Sequence, residues 1–178
     1  MGLLTVIRKQ KLKDKELRII ILGLDNSGKS TILNSILDKP NTDISPTLGF
    51  EIHSLQHKSH NLNFWDIGGQ ESIRTFWFNY FFDKFDYIFF VIDLITINSR
   101  FNEIYNEFIR LLENERFEQI KLIIILNKMD LFDNTDSESI KEEVIKKLEL
   151  SRYLVKYEIV MVSGKEGKNI DLLLDKII

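Results

Sequence analysis

Short apolar runs alternate with amphipathic stretches along this 178-residue chain. Leu17 to Leu24, Leu62 to Ile67, Tyr87 to Leu94, Lys121 to Asn127 and Tyr157 to Val162 read as strands. Several lack the in–out alternation of a half-solvated strand, which suits parallel strands covered on both faces. Phe50 to Lys58 alternates more clearly and sits just before Leu62 to Ile67, with Ser59-His60-Asn61 as the predicted hairpin turn. Helical spacing appears in Lys29 to Leu37, Phe101 to Phe117, Ser139 to Leu150 and Asn169 to Ile178. In the second of these, Phe101, Ile104, Tyr105, Phe108, Leu111 and Leu112 share one side. Such alternation predicts an α/β domain, with right-handed crossovers and a mostly parallel six-stranded sheet. Helices cover both faces and one antiparallel hairpin interrupts the sheet. Ligands in this architecture bind at the carboxyl ends of the strands.

Composition narrows the function. The length suits one domain with a real core, and no repeat, linker or low-complexity segment divides it. With no cysteine, disulfide frameworks, Cys-based zinc sites, thiol nucleophiles, prenylation and palmitoylation are excluded together. The net charge of −3 argues against a nucleic-acid coat. It conceals an uneven distribution: residues 1–18 carry six basic against two acidic side chains, a local +4 on a body of −7. Apolar Leu3, Leu4, Val6 and Ile7 precede these charges, so the first 16 residues are expected to form a basic amphipathic helix or arm. No run is long enough to span a bilayer and no secretory signal is present, so a cytoplasmic protein is expected, with at most weak membrane association. His53, His57 and His60 lack metal-ligand partners and are expected to be solvated.

The first strand runs into Gly23-Leu24-Asp25-Asn26-Ser27-Gly28-Lys29-Ser30, a complete G-x-x-x-x-G-K-[ST] motif. Its residues Asp25 to Thr31 are predicted to cradle phosphates: converging backbone N–H groups and the positive end of the following helix supply the attraction. Lys29 reaches the terminal phosphates, and the Ser30 hydroxyl is a Mg²⁺ ligand. The third strand ends in Trp65-Asp66-Ile67-Gly68-Gly69-Gln70. A carboxylate there, beside the phosphate loop, is placed to hold Mg²⁺ through a water. The Gly69 N–H can meet a γ-phosphate, and the Gln70 amide can orient an attacking water. Asn127-Lys128-Met129-Asp130 follows the strand 121–126. An Asp at this point accepts from both N1–H and the exocyclic amine of guanine, whereas adenine leaves the carboxylate unpaired. Asn127 braces the loop and Lys128 lays its methylene stem on the base.

Taken together, these motifs resemble the Ras-like small GTPases, and within them the ADP-ribosylation-factor group. Further marks are Ser45-Pro46-Thr47-Leu48-Gly49-Phe50, the Trp-Asp-x-Gly-Gly-Gln at 65–70 and the Trp77…Tyr80-Phe81 run, so that the likeness covers essentially the whole chain. The resemblance implies the P-loop small G-protein fold over residues 17–178 and a monomeric GTP-binding switch that binds GTP or GDP with Mg²⁺ and hydrolyses GTP slowly. It implies that Thr47 ligates Mg²⁺ and meets the γ-phosphate, and that Ser163-Gly164-Lys165 contacts the base. It also implies that Phe50, Trp65 and Tyr80 read out the GTP state to effectors, of the kind of prenyl-binding lipid-cargo carriers or tubulin-folding cofactors. Catalysis would then rest on Gln70, Lys29 and Thr47, with Ser30, Thr47 and Asp66 at the metal. No arginine is evident in cis, so turnover depends on an activating protein, with an exchange factor to reload GTP.

Three departures from the family pattern stand out. Val6 occupies the hydroxyl position of an acylation motif, so Gly2 is expected to be poorly myristoylated. Phe78 stands where the family usually has Arg, within a run of six aromatics over residues 76–82. Asp93-Leu94-Ile95-Thr96-Ile97-Asn98 replaces a more polar loop. Two other readings fit the phosphate motif: an adenine-nucleotide enzyme such as a small kinase or ATPase, and a GTP-dependent binding module with negligible hydrolysis. The first needs an arginine-rich lid, which the chain lacks.

Overall fold

The computed structural model describes residues 15–178 except 43, 83, 118, 119, 133–135 and 154; of Tyr80, Phe81, Phe82 and Arg116 it describes the backbone alone. The N-terminal arm, with Gly2 and Val6, therefore lies outside the described residues apart from its last two positions.

In chain order the elements are β1 (Glu16–Gly23), α1 (Lys29–Ile36), β2 (Phe50–His57), β3 (His60–Ile67), α2 (Glu71–Arg74), β4 (Tyr87–Asp93), α3 (Phe101–Leu112), β5 (Lys121–Asn127), α4 (Ser137–Lys147), β6 (Tyr157–Met161) and α5 (Ile170–Asp175). The six strands form one sheet in the order β2-β3-β1-β4-β5-β6. Every neighbouring pair is parallel except the β2–β3 hairpin. The predicted α/β architecture is thus the observed one.

Period-two geometry explains why the strands read as continuous apolar runs. Ile20 and Leu22 of β1 face the layer that holds Ile104 and Phe108 of α3 and Val144 of α4. Ile19 and Ile21 face the opposite layer, with Ile32 and Leu33 of α1 and Leu173 of α5. Both faces are dry along Ile19 to Leu22, so this stretch is apolar at every position. The departing loop at 93–98 belongs to this packing: Leu94 and Ile97 are buried in the α3–α4 layer. Asn98 Oδ1 accepts from Lys147 Nζ of α4 at 2.6 Å.

Several boundaries differ from the pattern reading. His57 pairs with His60, so the hairpin turns at Lys58-Ser59 rather than at 59–61, and Lys58 takes up the left-handed conformation with φ 51°. The three histidines are half-buried rather than solvated, and His57 Nε2 and His60 Nδ1 are buried atoms with no hydrogen-bond partner among the described residues. Their alternation places them on the hairpin's inward-leaning side. Helix α3 stops at Leu112, and a 3₁₀ turn at Glu115–Phe117 redirects Phe117 into the core. The aromatic run divides: Phe76 is exposed, whereas Trp77 is fully buried and donates its indole N–H to the Gly68 carbonyl at 3.0 Å. Phe78 packs against the core under the guanidinium of Arg110, 5.4 Å from its ring centroid.

Candidate functional site

At the carboxyl ends of β1 and β3 lies a cleft whose lining includes Asp25, Asn26, Gly28, Lys29, Ser30, Thr31, Thr47, Gly69 and Gln70, nine of the residues singled out from sequence. Ile44, Ser45 and Pro46 complete one wall. Sequence reading used Ser45 and Pro46 only as family marks and passed over Ile44. Ser27 is 2% exposed and lies beneath the cleft rather than on its lining.

The loop after β1 turns because Gly28 holds φ 89°, a conformation that costs an L-residue roughly 1–2 kcal/mol. A Cβ there would also fall 2.2 Å from Asn127 Nδ2. The next residue, Lys29, is 6% exposed, and its ammonium donates to the Leu24 carbonyl at 2.9 Å. Burial depresses the Lys29 pKa to about 8, against the opposing pull of Asp66 and Asp25. A buried ammonium of this kind is a strong attractor for phosphate.

Three oxygen-bearing side chains from separate segments converge beside it. Ser30 Oγ donates to Asp66 Oδ2 at 2.5 Å and stands 3.1 Å from Thr47 Oγ1, while Thr47 Oγ1 reaches the same carboxylate oxygen at 3.4 Å. Burial raises the Asp66 carboxyl above its usual range, with the Ser30 hydroxyl and the Lys29 charge opposing. Its other oxygen, Oδ1, is buried with no partner among the described residues. Two hydroxyls and a carboxylate form a hard-oxygen set that suits Mg²⁺, and an orphaned anionic oxygen fits a group that brings positive charge. The residues present therefore fit the metal.

Gln70 caps α2: its carbonyl accepts from the N–H groups of Ile73 and Arg74, each at 2.9 Å. The Asp25 N–H donates to the Gly69 carbonyl at 2.9 Å, which fixes this turn against the phosphate loop.

The base-side residues form a second group, joined to the cleft through Asn127. Its Nδ2 donates to the Ser27 carbonyl at 2.8 Å, and its Oδ1 accepts from the Gly164 N–H at 3.0 Å. The side chain therefore ties the phosphate loop to the loop after β6. Asp130 Oδ1 is a buried acceptor with no partner among the described residues, the condition expected of a carboxylate built to receive donors from a base. Ser163 is fully buried, and its Oγ accepts from the Glu166 N–H at 3.0 Å. A Cβ on Gly164 would lie 2.9 Å from Ile32 Cγ1 and 3.0 Å from Ile32 N, so glycine lets this loop press against α1.

Two residues that sequence reading did not assign also join the site. Asp93, at the end of β4 and paired in register with Asn127, binds Lys128 Nζ at 2.9 Å and the Ile95 N–H at 2.9 Å. Its place at a strand's carboxyl end was the available signal. Arg100 reaches the phosphate loop itself: Nη1 donates to the Asp25 carbonyl at 3.0 Å and Nη2 to Asp25 Oδ1 at 2.8 Å. Of the expected read-out aromatics, Phe50 and Trp65 stack at 5.6 Å with planes 13° apart, and Phe50 is 45% exposed. The side chain of Tyr80 lies outside the described residues.

Residues 3–178 match the model of the ADP-ribosylation factor family. The chain is 41% identical over its whole length to ADP-ribosylation factor-like protein 2 of Dictyostelium discoideum, covering 94% of that protein. Over 74% of its length it is 47% identical to ADP-ribosylation factor-like protein 3 of Chlamydomonas reinhardtii, covering 73% of that protein. In fold it superposes with the Arl6 BBS3 small GTPase of Trypanosoma brucei, whose structure holds the nucleotide analogue GppNp, at a TM-score of 0.77 and 24% identity over 91% of this chain and 95% of that one. The mammalian signal-recognition-particle receptor structure shares the fold at a TM-score of 0.76 and 19% identity, over 90% of this chain and 100% of that one.

Proposed function

The chain belongs to the ADP-ribosylation factor family, a GTP-binding switch and GTP hydrolase that works with Mg²⁺, and we propose that residues 17–178 form its nucleotide domain with the following assignment of roles. Asp25 to Thr31 and Gly69 hold the phosphates, with Lys29 neutralising the terminal ones. Ser30, Thr47 and Asp66 hold Mg²⁺, which when bound offsets phosphate charge. Asn127, Lys128, Asp130 and Ser163 to Lys165 hold guanine. Gln70 orients the attacking water. The observation that carries this assignment is the meeting of Ser30, Thr47 and Asp66, from three distant segments, within 3.4 Å of one another beside Gln70 in one cleft.

Hydrolysis by this arrangement is slow. Arg100, the cation nearest the phosphate loop after Lys29 among the described contacts, is committed to Asp25 and Glu103. A transition-state arginine is worth roughly 10³ to 10⁵ in rate, and an activating protein supplies what the chain withholds. Effector recruitment in the GTP state then uses the stacked Phe50 and Trp65, together with Tyr80. We infer partners of the kind that the resemblance implies, such as prenyl-binding cargo carriers or tubulin-folding cofactors. Among the described residues no helix is long and apolar enough to cross a membrane, and a cytoplasmic monomer is the setting we infer.

Gln70→Leu tests the assignment. The variant should bind GTP as the parent does yet lose hydrolysis stimulated by cell extract. Unchanged stimulated turnover overturns the role given to Gln70.

A further inference from the structure

An unbroken chain of charged contacts runs from the phosphate loop to the helix that carries Gln70, and it passes through α3. Arg100 holds Asp25 by the two contacts described above and reaches Glu103 with Nε at 3.2 Å and Nη2 at 2.9 Å. Arg74 Nη2 takes the same Glu103 carboxylate at 3.2 Å, and Arg74 Nη1 lies 3.6 Å from Glu107. Glu107 in turn holds Arg110 at 2.8 Å.

Arg74 is the unusual member. It is 5% exposed, and its Nε finds no partner among the described residues. A guanidinium in so dry a place is kept paired, because removing its partner would leave an uncompensated buried charge. Its backbone N–H donates to the Gln70 carbonyl at 2.9 Å, so whatever fixes Arg74 bears on the position of Gln70, which lines the cleft. Four-residue α2 has little packing of its own: Ile73 and Arg74 are its inward contacts. The Asp25–Gly69 hydrogen bond holds the turn before α2, and the glutamates of α3 hold its other end at Arg74.

We propose that Glu103 is a positioning residue for GTP hydrolysis, which by holding Arg100 and Arg74 at once sets the distance between the phosphate loop at Asp25 and the water-orienting Gln70. The inference rests on the role given to Gln70 above. Glu103 touches neither nucleotide nor metal. Its effect is to keep α2 from drifting away from the loop, and misplacing a reacting group by about 1 Å costs up to roughly 10²-fold in rate.

The test uses full-length protein loaded with GTP and Mg²⁺. Single-turnover conversion to GDP is followed by chromatography, beside the release rate of a fluorescent GDP analogue. Glu103→Ala should slow hydrolysis by about tenfold or more, while nucleotide release changes by less than about twofold. Glu103→Gln keeps the shape and an acceptor but loses the charge, and should fall between. In a Gln70→Ala background, Glu103→Ala should produce no further slowing, because the group it positions is gone. Parental hydrolysis in Glu103→Ala beside a slow Gln70→Ala overturns the proposal, as does slowing that multiplies in the double variant. Parental hydrolysis in Gln70→Ala itself overturns the role of Gln70 and with it the proposal. Should Glu103→Ala fail to fold, Glu103→Gln alone and combined with Gln70→Ala decides by the same criteria.

Discussion

Ser30 and Thr47 sit seventeen residues apart in sequence, yet their hydroxyls stand 3.1 Å from each other above Asp66. This closeness draws the segment after α1 over the phosphate loop. Thr47→Ala removes one oxygen from the set and leaves the rest in place. Loss of a contact to a charged group costs about 1.5–3 kcal/mol. The Mg²⁺ affinity of the GTP-loaded protein should therefore fall by about tenfold or more, read by titrating Mg²⁺ against nucleotide release. Thr47→Ser should restore most of it.

Gly28 and Gly167 both hold positive φ, 89° and 71°, but a Cβ at Gly167 meets nothing within 4 Å while one at Gly28 strikes Asn127. Gly167→Ala should cost only backbone strain, about 1–2 kcal/mol. Gly28→Ala adds an overpacking cost of about 1–3 kcal/mol and breaks the Asn127 bridge to Ser27. At about 2–4 °C per kcal/mol for a chain of this size, melting curves should separate the two variants by several degrees.

The Arg100 network has a pH signature. Burial alone would raise the Asp25 carboxyl, but the Arg100 hydrogen bond and charge win and hold it below the usual range; the same guanidinium lowers Glu103. A depressed carboxyl contributes stability that is complete above its unfolded pKa, about 3.9 for Asp and 4.3 for Glu, and is lost as pH falls through the lower folded value. Arg100→Ala should thus lower stability at pH 7, by about 1 kcal/mol given that these groups are partly solvated. The gap between parent and variant should close below about pH 4, measured by urea unfolding across pH.

Phe78 stands where the family usually has arginine, and its ring lies under the Arg110 guanidinium. Restoring the family residue would bring two guanidinium groups together. Phe78→Arg should cost the cation–π contact, about 0.5–1 kcal/mol, plus the repulsion between like charges. Phe78→Tyr should be neutral in the same melting assay.

Much of the site was legible in the sequence because the chemistry demands fixed local spacing. The loop 23–30 and the tetrad 127–130 each act through consecutive residues at a strand end, so their positions announce their roles. Asp93 and Arg100 were not legible. Their partners lie 35 and 75 residues away, and only the register of β4 against β5 and the course of α3 bring them in. The hairpin turn was misplaced for a different reason: polar Lys58, Ser59 and His60 offer no glycine to mark it, and pairing continues to His57 and His60. The 93–98 loop looked anomalous in sequence because two of its apolar residues, Leu94 and Ile97, are core, which only the packing of α3 and α4 reveals.

By the roles proposed above, Asp130, with its unpartnered buried oxygen, selects guanine at the end of a phosphate cleft lined by residues 25, 26 and 28–31. Displacement by GTP, ATP and XTP of a fluorescent guanine nucleotide from the parent, and of a fluorescent xanthine nucleotide from Asp130→Asn, tests it directly. The parent should release the probe to GTP while resisting ATP and XTP at about 10³-fold excess, since a wrong base leaves a buried carboxylate unpaired. Asp130→Asn, which offers a donor to the 2-carbonyl of xanthine, should lose GTP and gain XTP. Comparable displacement by ATP and GTP in the parent, or unchanged GTP preference in Asp130→Asn, would overturn the guanine assignment.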